Sequence, residues 1–277
     1  MHEFALYGQV SRDDHHRTLQ QLAGYTRMQP QETVEIHLVF KPRTPAGLDH
    51  LPSAGGSQGV MQQDVQKLKT MLNAGLFYLQ LVGEVVPDKP KGTENDEDVA
   101  MSNGDGDHAE SDRSADEKSA VRWSLDFKDT PEPGKQPVST RLVSRISMTD
   151  GDFVRFLDNF GYEYVSRYIV VGSKFYDHDT TLFVHKVLRL SQISADEAVR
   201  DTSFLPNITE LPELDGSGGY TIQASIDVVD GNNPELKERA TRQLLALKEA
   251  LKQAVDLTPG DRLSLDTRVP VTSTRTQ

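Results

Sequence analysis

The chain has 277 residues, of which 36% are hydrophobic and 26% charged, and its 42 acidic against 30 basic side chains give a formal net charge of −12. So acidic a surface speaks against a general phosphate-binding protein, whose affinity comes from Lys and Arg. With no cysteine there is no disulfide scaffold, thiolate zinc site or cysteine nucleophile. No basic-then-apolar leader opens the sequence and no apolar run approaches the roughly 20 residues of a membrane span, so a soluble, intracellular protein is expected.

Period-two alternation dominates the chain and predicts strands. Phe4, Leu6, Gly8 and Val10 share one face of the first. Asp13-Asp14 then offers a cap for a helix burying Leu19, Leu22 and Ala23, and Val34, Ile36, Leu38 and Phe40 form a second strand face. Residues 44–59, rich in Pro, Gly and Ser, read as a flexible loop. Met61, Val65, Leu68 and Leu72 make a helical stripe stopped by Asn73 and Gly75, and a third strand is expected over Leu76–Val86. From Pro87 to Lys118 eleven acids face four bases, with no aromatic residue, so the segment carries −7 of the −12 and cannot offset its conformational entropy by burial. It is expected to be a disordered insertion between the third and fourth strands.

The second half continues the pattern. Val121, Trp123, Leu125 and Phe127 alternate with Arg122, Ser124, Asp126 and Lys128. Further strands are expected at Ser139–Met148, Tyr162–Phe175, Thr180–Leu190 and Tyr220–Val228, with Asp177-His178-Asp179 as a hairpin-like turn. Thr149 is placed to cap a helix burying Phe153, Phe156, Leu157 and Phe160, ended by Gly161. Asn233 and Pro234 open the last helix, whose Leu236, Ala240, Leu244, Leu247, Leu251 and Ala254 keep one face, with Glu235/Arg239 and Glu238/Arg242 as pairs on the wet side. Eight mostly antiparallel strands and about four helices predict an α+β, mostly β protein: one domain over residues 1–277, closed into an eight-stranded barrel with the helices outside or across an end.

No catalytic motif emerges. G-x-S-x-G, G-x-x-x-x-G-K-[ST] and H-E-x-x-H are all missing. Gly216-Ser217-Gly218-Gly219 lacks the Lys and helix of a phosphate loop and reads as a linker. Adjacent His15 and His16 point to different sides of a helix, His178 sits in a turn, and His37 and His185 have no second ligand at i+2, so no metal and no cofactor are expected. The expected barrel is similar to that of triphosphate-tunnel phosphohydrolases, in which paired Glu on one strand hold a divalent metal. Where their E-x-E-x-K strand would fall, this chain has Glu35-Ile36-His37-Leu38-Val39, a single carboxylate without the Lys. The charges on the other strands (Arg141, Arg145, Lys174, Glu84, Asp126 and Asp227 among them) are then expected to lie on solvated faces.

In order along the chain, Phe4-Ala-Leu-Tyr-Gly-Gln-Val10, Leu38-Val-Phe-Lys-Pro42, Phe77-Tyr-Leu-Gln-Leu-Val-Gly83, Trp123-Ser-Leu-Asp-Phe-Lys-Asp-Thr-Pro-Glu-Pro-Gly134, Gly161-Tyr-Glu-Tyr-Val-Ser-Arg-Tyr168, Gly172-Ser-Lys-Phe175 and Asp261-Arg-Leu-Ser-Leu-Asp-Thr-Arg-Val269 form a nearly end-to-end set. The set resembles the subunit 18 family of the Mediator head module, the coactivator of RNA polymerase II, in its fungal form. The resemblance implies a nuclear, non-enzymatic subunit that pairs with Mediator subunit 20, holds a C-terminal helix of subunit 8, and meets the polymerase and its initiation factors through the head. It implies no direct nucleic-acid contact and no membrane. Partner-facing residues are sought among the large amphipathic side chains Trp123, Tyr162, Tyr164 and Tyr168, which otherwise fill the barrel's own core. Thr18, Gln21 and Tyr25, taken to lie on the first helix away from Leu19 and Leu22, complete the set. Arg262, Asp266 and Arg268 read as a local salt-bridge network in a structured tail. Deleting residues 87–118 should leave the thermal midpoint and pairing with subunit 20 unchanged; a large fall in the midpoint of the deleted chain would contradict the disorder reading.

Overall fold

A computed structural model describes residues 1–43, 76–85, 121–149, 151–191 and 208–269. The expected loop at 44–59, the helix at Met61–Leu72 and the acidic insertion at 87–118 lie outside these residues. All eight expected strands are present: β1 (His2–Val10), β2 (Gln31–Pro42), β3 (Leu79–Val85), β4 (Val121–Lys128), β5 (Ser139–Met148), β6 (Tyr162–Asp177), β7 (Thr180–Arg189) and β8 (Tyr220–Val228). They close in the order β1-β5-β4-β3-β2-β6-β7-β8, every neighbouring pair antiparallel. Two meanders, β2 to β5 and β6 to β8, make up most of the wall. β1 is inserted between their free ends, opposite β2. The β1–β2 and β5–β6 connections therefore cross the barrel, and each carries a helix: α1 (His15–Thr26) and α2 (Phe153–Asn159).

Two apolar clusters line the outside of this wall. Phe4, Leu6, Val184, Ile222 and Ala224 of β1, β7 and β8 meet Leu244 and Leu247 of α3 (Pro234–Ala250), and Leu22 of α1 joins them. On the opposite arc, Ile36, Leu38, Leu81, Trp123 and Ile169 are covered by Phe153 and Leu157 of α2. The apolar parity read from the sequence thus faces outward, toward the helices. Alternation then sends the polar parity into the lumen.

Local chemistry explains where the elements start and stop. Asn233 caps α3, its side chain accepting from the backbone N–H of Glu235 and Leu236, with Pro234 at the first position. That helix ends at Ala250, short of Ala254, although Leu251 and Val255 stay buried in the turns that follow. α2 is capped by Asp152, whose carboxylate accepts from Arg155 N–H, and not by Thr149. Asp14 occupies the cap position of α1, but its carboxylate accepts from the Ser11 hydroxyl rather than from the helix. Arg239 binds Asp179 on the β6–β7 hairpin instead of Glu235, whereas the Glu238–Arg242 pair forms as expected. The hairpin turn itself places His178 at φ 51, a left-handed conformation.

The strand ladders leave half-open seams where register is staggered, and later segments fill them. Thr258 exchanges both backbone hydrogen bonds with Tyr7 of β1, and Glu213 bridges Leu188 of β7. The tail continues as a strap. Gly260 N–H donates to the Ser139 hydroxyl, Arg262 to the Pro131 carbonyl and the Thr130 hydroxyl to Asp266, while Phe77 bridges Arg268. Of the Arg262, Asp266 and Arg268 network read from the sequence, Asp266 and Arg268 form an ion pair, whereas Arg262 bonds the Pro131 carbonyl, and all three belong to the strap.

One glycine tests the closeness of the ladder. A Cβ on Gly172 of β6 would stand 2.2 Å from the Val184 carbonyl oxygen and 2.7 Å from His185 Cα, both backbone atoms of β7 that cannot give way without parting the strands. Gly24 in α1 has nothing within 4 Å of its would-be Cβ. Gly172→Ala should therefore lower unfolding free energy by about 1–3 kcal/mol in urea titration, whereas Gly24→Ala should be neutral or stabilising by up to about 1 kcal/mol.

Candidate interaction surfaces and the charged lumen

The lumen is built from the polar parity of the strands, and its charges divide: Arg141, Asp126 and Lys174 are enclosed, against the expectation of solvated faces, whereas Arg145 and Asp227 keep access to water as expected and Glu84 is half-buried. Glu3 and Arg141 are each 7% exposed and Asp126 is 4% exposed. Burial on this scale demands partners. Arg141 Nε donates to Glu3 at 2.5 Å, Gln223 donates to the other Glu3 oxygen at 3.1 Å, and Arg145 holds Asp126 at 3.1 Å. Burial pushes the Glu3 carboxyl up, but Arg141, with Lys128 and Arg145 behind it, outweighs that push and holds it below the ordinary range. Asp227, directly opposite Glu3 across β8 and β1, goes the other way: burial and then the Glu3 charge push it up.

A second group lies around β2, β3 and β6. Glu35 and Glu84 are direct cross-strand partners. Lys174 reaches both, its Nζ 2.7 Å from Glu35 and 3.4 Å from Glu84. His37 Nε2 lies 3.1 Å from the second Glu35 oxygen, and its ring stacks on Tyr168 with centroids 4.8 Å apart. Burial, helped by the Glu35 charge and opposed by a Gln80 hydrogen bond, raises the Tyr168 hydroxyl to about 12. For Glu35, burial pushes up, but the His37 hydrogen bond and the Lys174 ammonium bring it down to about 2. Because the folded value lies below the ordinary 4.5, the Glu35 contribution to stability is complete above pH 4.5 and is lost as pH falls toward 2. Glu35→Gln should be less stable than the parent at pH 6 by on the order of 2 kcal/mol. That gap should narrow steadily in urea titrations taken down to pH 2.5; a gap independent of pH would show that the charge is not the source.

The residues singled out as partner-facing separate into different environments. Trp123 is core: it is 8% exposed, lies against Phe153, and needs Gly83 because a Cβ there would stand 2.9 Å from the indole ring. Tyr162 and Tyr164 pack half-buried on the outer cluster of β2 and β6, with Tyr164 edge-on to Phe40. Tyr168 faces the lumen. The cause is a bulge: Phe40 pairs with Tyr164 and Val39 with Ser166, so Val165 is unpaired and the parity of β6 flips between Tyr164 and Tyr168. Thr18 is 1% exposed and sits beside Leu22 on the inner face of α1, which corrects its placement toward a partner. Gln21 is half-buried and Tyr25 exposed.

Sequence reasoning missed the bare part of the wall. Between the two clusters, the outer face of β5 is bare beyond Thr140 among the described residues, and Leu142 and Ile146 are 42% and 56% exposed. Beyond the second cluster, α2 shows a pair of touching rings, Phe156 and Phe160, the latter 70% exposed. The signal was available: Leu142 and Ile146 are the apolar parity of a strand whose intervening Ser144 is outward too. Contiguous exposed apolar surface of this kind marks interaction sites. Among the described residues no group of three or more acidic or His side chains is arranged to hold a metal ion.

A family model and full-length relatives identify the family. A family model described as Med18 protein matches residues 2–268. The Mediator of RNA polymerase II transcription subunit 18 of Coccidioides immitis is 41% identical, over 97% of this chain and 100% of its own length. The protein of the same name from Aspergillus fumigatus is 39% identical over 97% of this chain and 99% of its own. The structure of the Schizosaccharomyces pombe Mediator head module contains a chain that shares the fold, with a TM-score of 0.61 at 18% identity, covering 94% of this chain and 99% of that one. A match from the first strand to the end of the strap, with fungal relatives at about 40% identity over full length, means that this chain belongs to the Med18 family, subunit 18 of Mediator.

Proposed function

We propose that this subunit works as a non-enzymatic docking barrel in the nuclear head module of Mediator, pairing with Mediator subunit 20 and binding a C-terminal helix of subunit 8. Through them it takes part in the coactivator's contact with RNA polymerase II and its initiation factors. The observation that carries the reading is the division of labour between the barrel's two faces. The lumen's buried carboxylates are taken up by Arg141, Arg145 and Lys174, so little there is free for a substrate. The exterior instead offers preformed apolar wall at Leu142 and Ile146 and an aromatic pair at Phe156 and Phe160. Apolar helices and sheet faces dock on such walls without any catalytic group. Membership of the subunit 18 family supports assembly into Mediator, and the head-module fold likeness supports the place within it.

Coexpression with subunit 20 and the subunit 8 helix should give a complex that copurifies and melts several degrees above the isolated chain. Leu142→Asp combined with Ile146→Asp should lower recovery of the partners about tenfold while leaving the circular dichroism of the isolated barrel unchanged. Copurification no better than with unrelated proteins would overturn the assignment, and unchanged recovery by the double variant would remove β5 from it. The purified chain should release no phosphate from inorganic triphosphate in the presence of Mg²⁺ or Mn²⁺.

A further inference from the structure

The Glu35–Glu84 pair presents a problem that the fold has solved in a particular way. The two carboxylates are directly opposite on adjacent strands and both point into the lumen, an arrangement that is destabilising for like charges. The compensating charge comes from a third strand. Lys174 of β6 extends along the lumen until its Nζ lies 2.7 Å from Glu35 Oε1 and 3.4 Å from Glu84 Oε1, and it also lies 5.1 Å from the centre of the Phe183 ring. Its side chain is only 16% exposed. The second Glu35 oxygen is engaged by His37 Nε2 at 3.1 Å. Arg122 is the other cation near this group, 3.9 Å from Glu84, but its side chain is 71% exposed, so it screens Glu84 from the rim and does not reach Glu35.

We propose that the Lys174 ammonium is the resident cation of this part of the lumen, keeping a divalent metal ion out of a donor set of two carboxylates and one imidazole made by Glu35, Glu84 and His37. Hard carboxylate oxygens with an imidazole nitrogen suit Mn²⁺ or Zn²⁺. The spacing is an ammonium's: 2.7 and 3.4 Å are hydrogen-bond lengths, where a metal would draw its ligands to about 2.0–2.2 Å. With Lys174 in place the donors are held apart, which accounts for the lack of a converged ligand group among the described residues. Removing the ammonium leaves two opposed carboxylates without their shared counter-ion, and a divalent cation supplies that charge in a smaller volume.

The test is a Mn²⁺ titration of the full chain, followed by electron paramagnetic resonance of free Mn²⁺ and by thermal melting. The parent and Lys174→Arg, which keeps the charge, should show no saturable binding. Lys174→Met should bind Mn²⁺ at least tenfold more tightly than the parent, melt higher when Mn²⁺ is present, and lose both properties when Glu84→Gln is added. A folded Lys174→Met chain that binds no better than the parent overturns the proposal, as does a gain that survives Glu84→Gln. Should Lys174→Met fail to fold, Lys174→Gln removes the charge while keeping a hydrogen-bond donor and is read by the same outcomes.

Discussion

A sheet that closes on itself has no neutral way to dispose of its second face. Once the apolar parity of these strands is committed to the helices outside, alternate residues point into one lumen shared by all eight strands. Charges placed deep in it lose water and depend on one another. The result is the set of pairs Glu3–Arg141, Asp126–Arg145 and Glu35–Lys174–Glu84, each joining residues from different strands. Pairs of this kind add little net stability, since desolvation cancels much of the attraction, but breaking one leaves an uncompensated buried charge. They therefore constrain the barrel: a slip of one residue in any strand would turn its lumen charges outward and its apolar face inward.

This same constraint separates the barrel from one whose lumen is built to hold a charged ligand. An open tunnel needs charges of one sign lining it, free to meet a ligand of the other. Here Glu3 is taken up by Arg141, Asp126 by Arg145, and Glu35 and Glu84 together by Lys174, each base coming from another strand. What remains unsatisfied is outside, on β5 and α2, where apolar side chains meet water. Interaction with neighbouring subunits is the natural use of a barrel whose interior is occupied by its own ion pairs.

Most of the architecture was legible because alternation is a strong signal. The strand containing Trp123, the cap at Asn233-Pro234 and the turn at His178 each follow from residues within a few positions of one another. The direction of the polar face was not legible, because a sheet with one wet side and a barrel with a charged lumen write the same period-two pattern. Tyr162, Tyr164 and Tyr168 look like one face in the sequence, and only pairing with β2 reveals the extra residue at Val165 that divides them. Thr18 misled for a different reason. A threonine among leucines reads as surface, but its position four residues before Leu22 puts it on the buried side, where a short side chain fits close to the wall. The bare β5 face depends on which strands the helices cover, and that is a property of topology alone.

The placement of β1 also has a temporal consequence. Its ladder with β8 joins Tyr7 to Gln223, and its last seam is closed by Thr258, 251 residues later. On a ribosome β1 emerges well before β8 and must wait, its Phe4 and Leu6 unburied, until that partner strand has been made. The β6–β7 hairpin can form locally, but the cylinder cannot shut before β8 and the Thr258 segment have emerged. Long-range pairing of this order slows folding and prolongs exposure of sticky surface, so truncated nascent chains of this subunit are natural clients for chaperones.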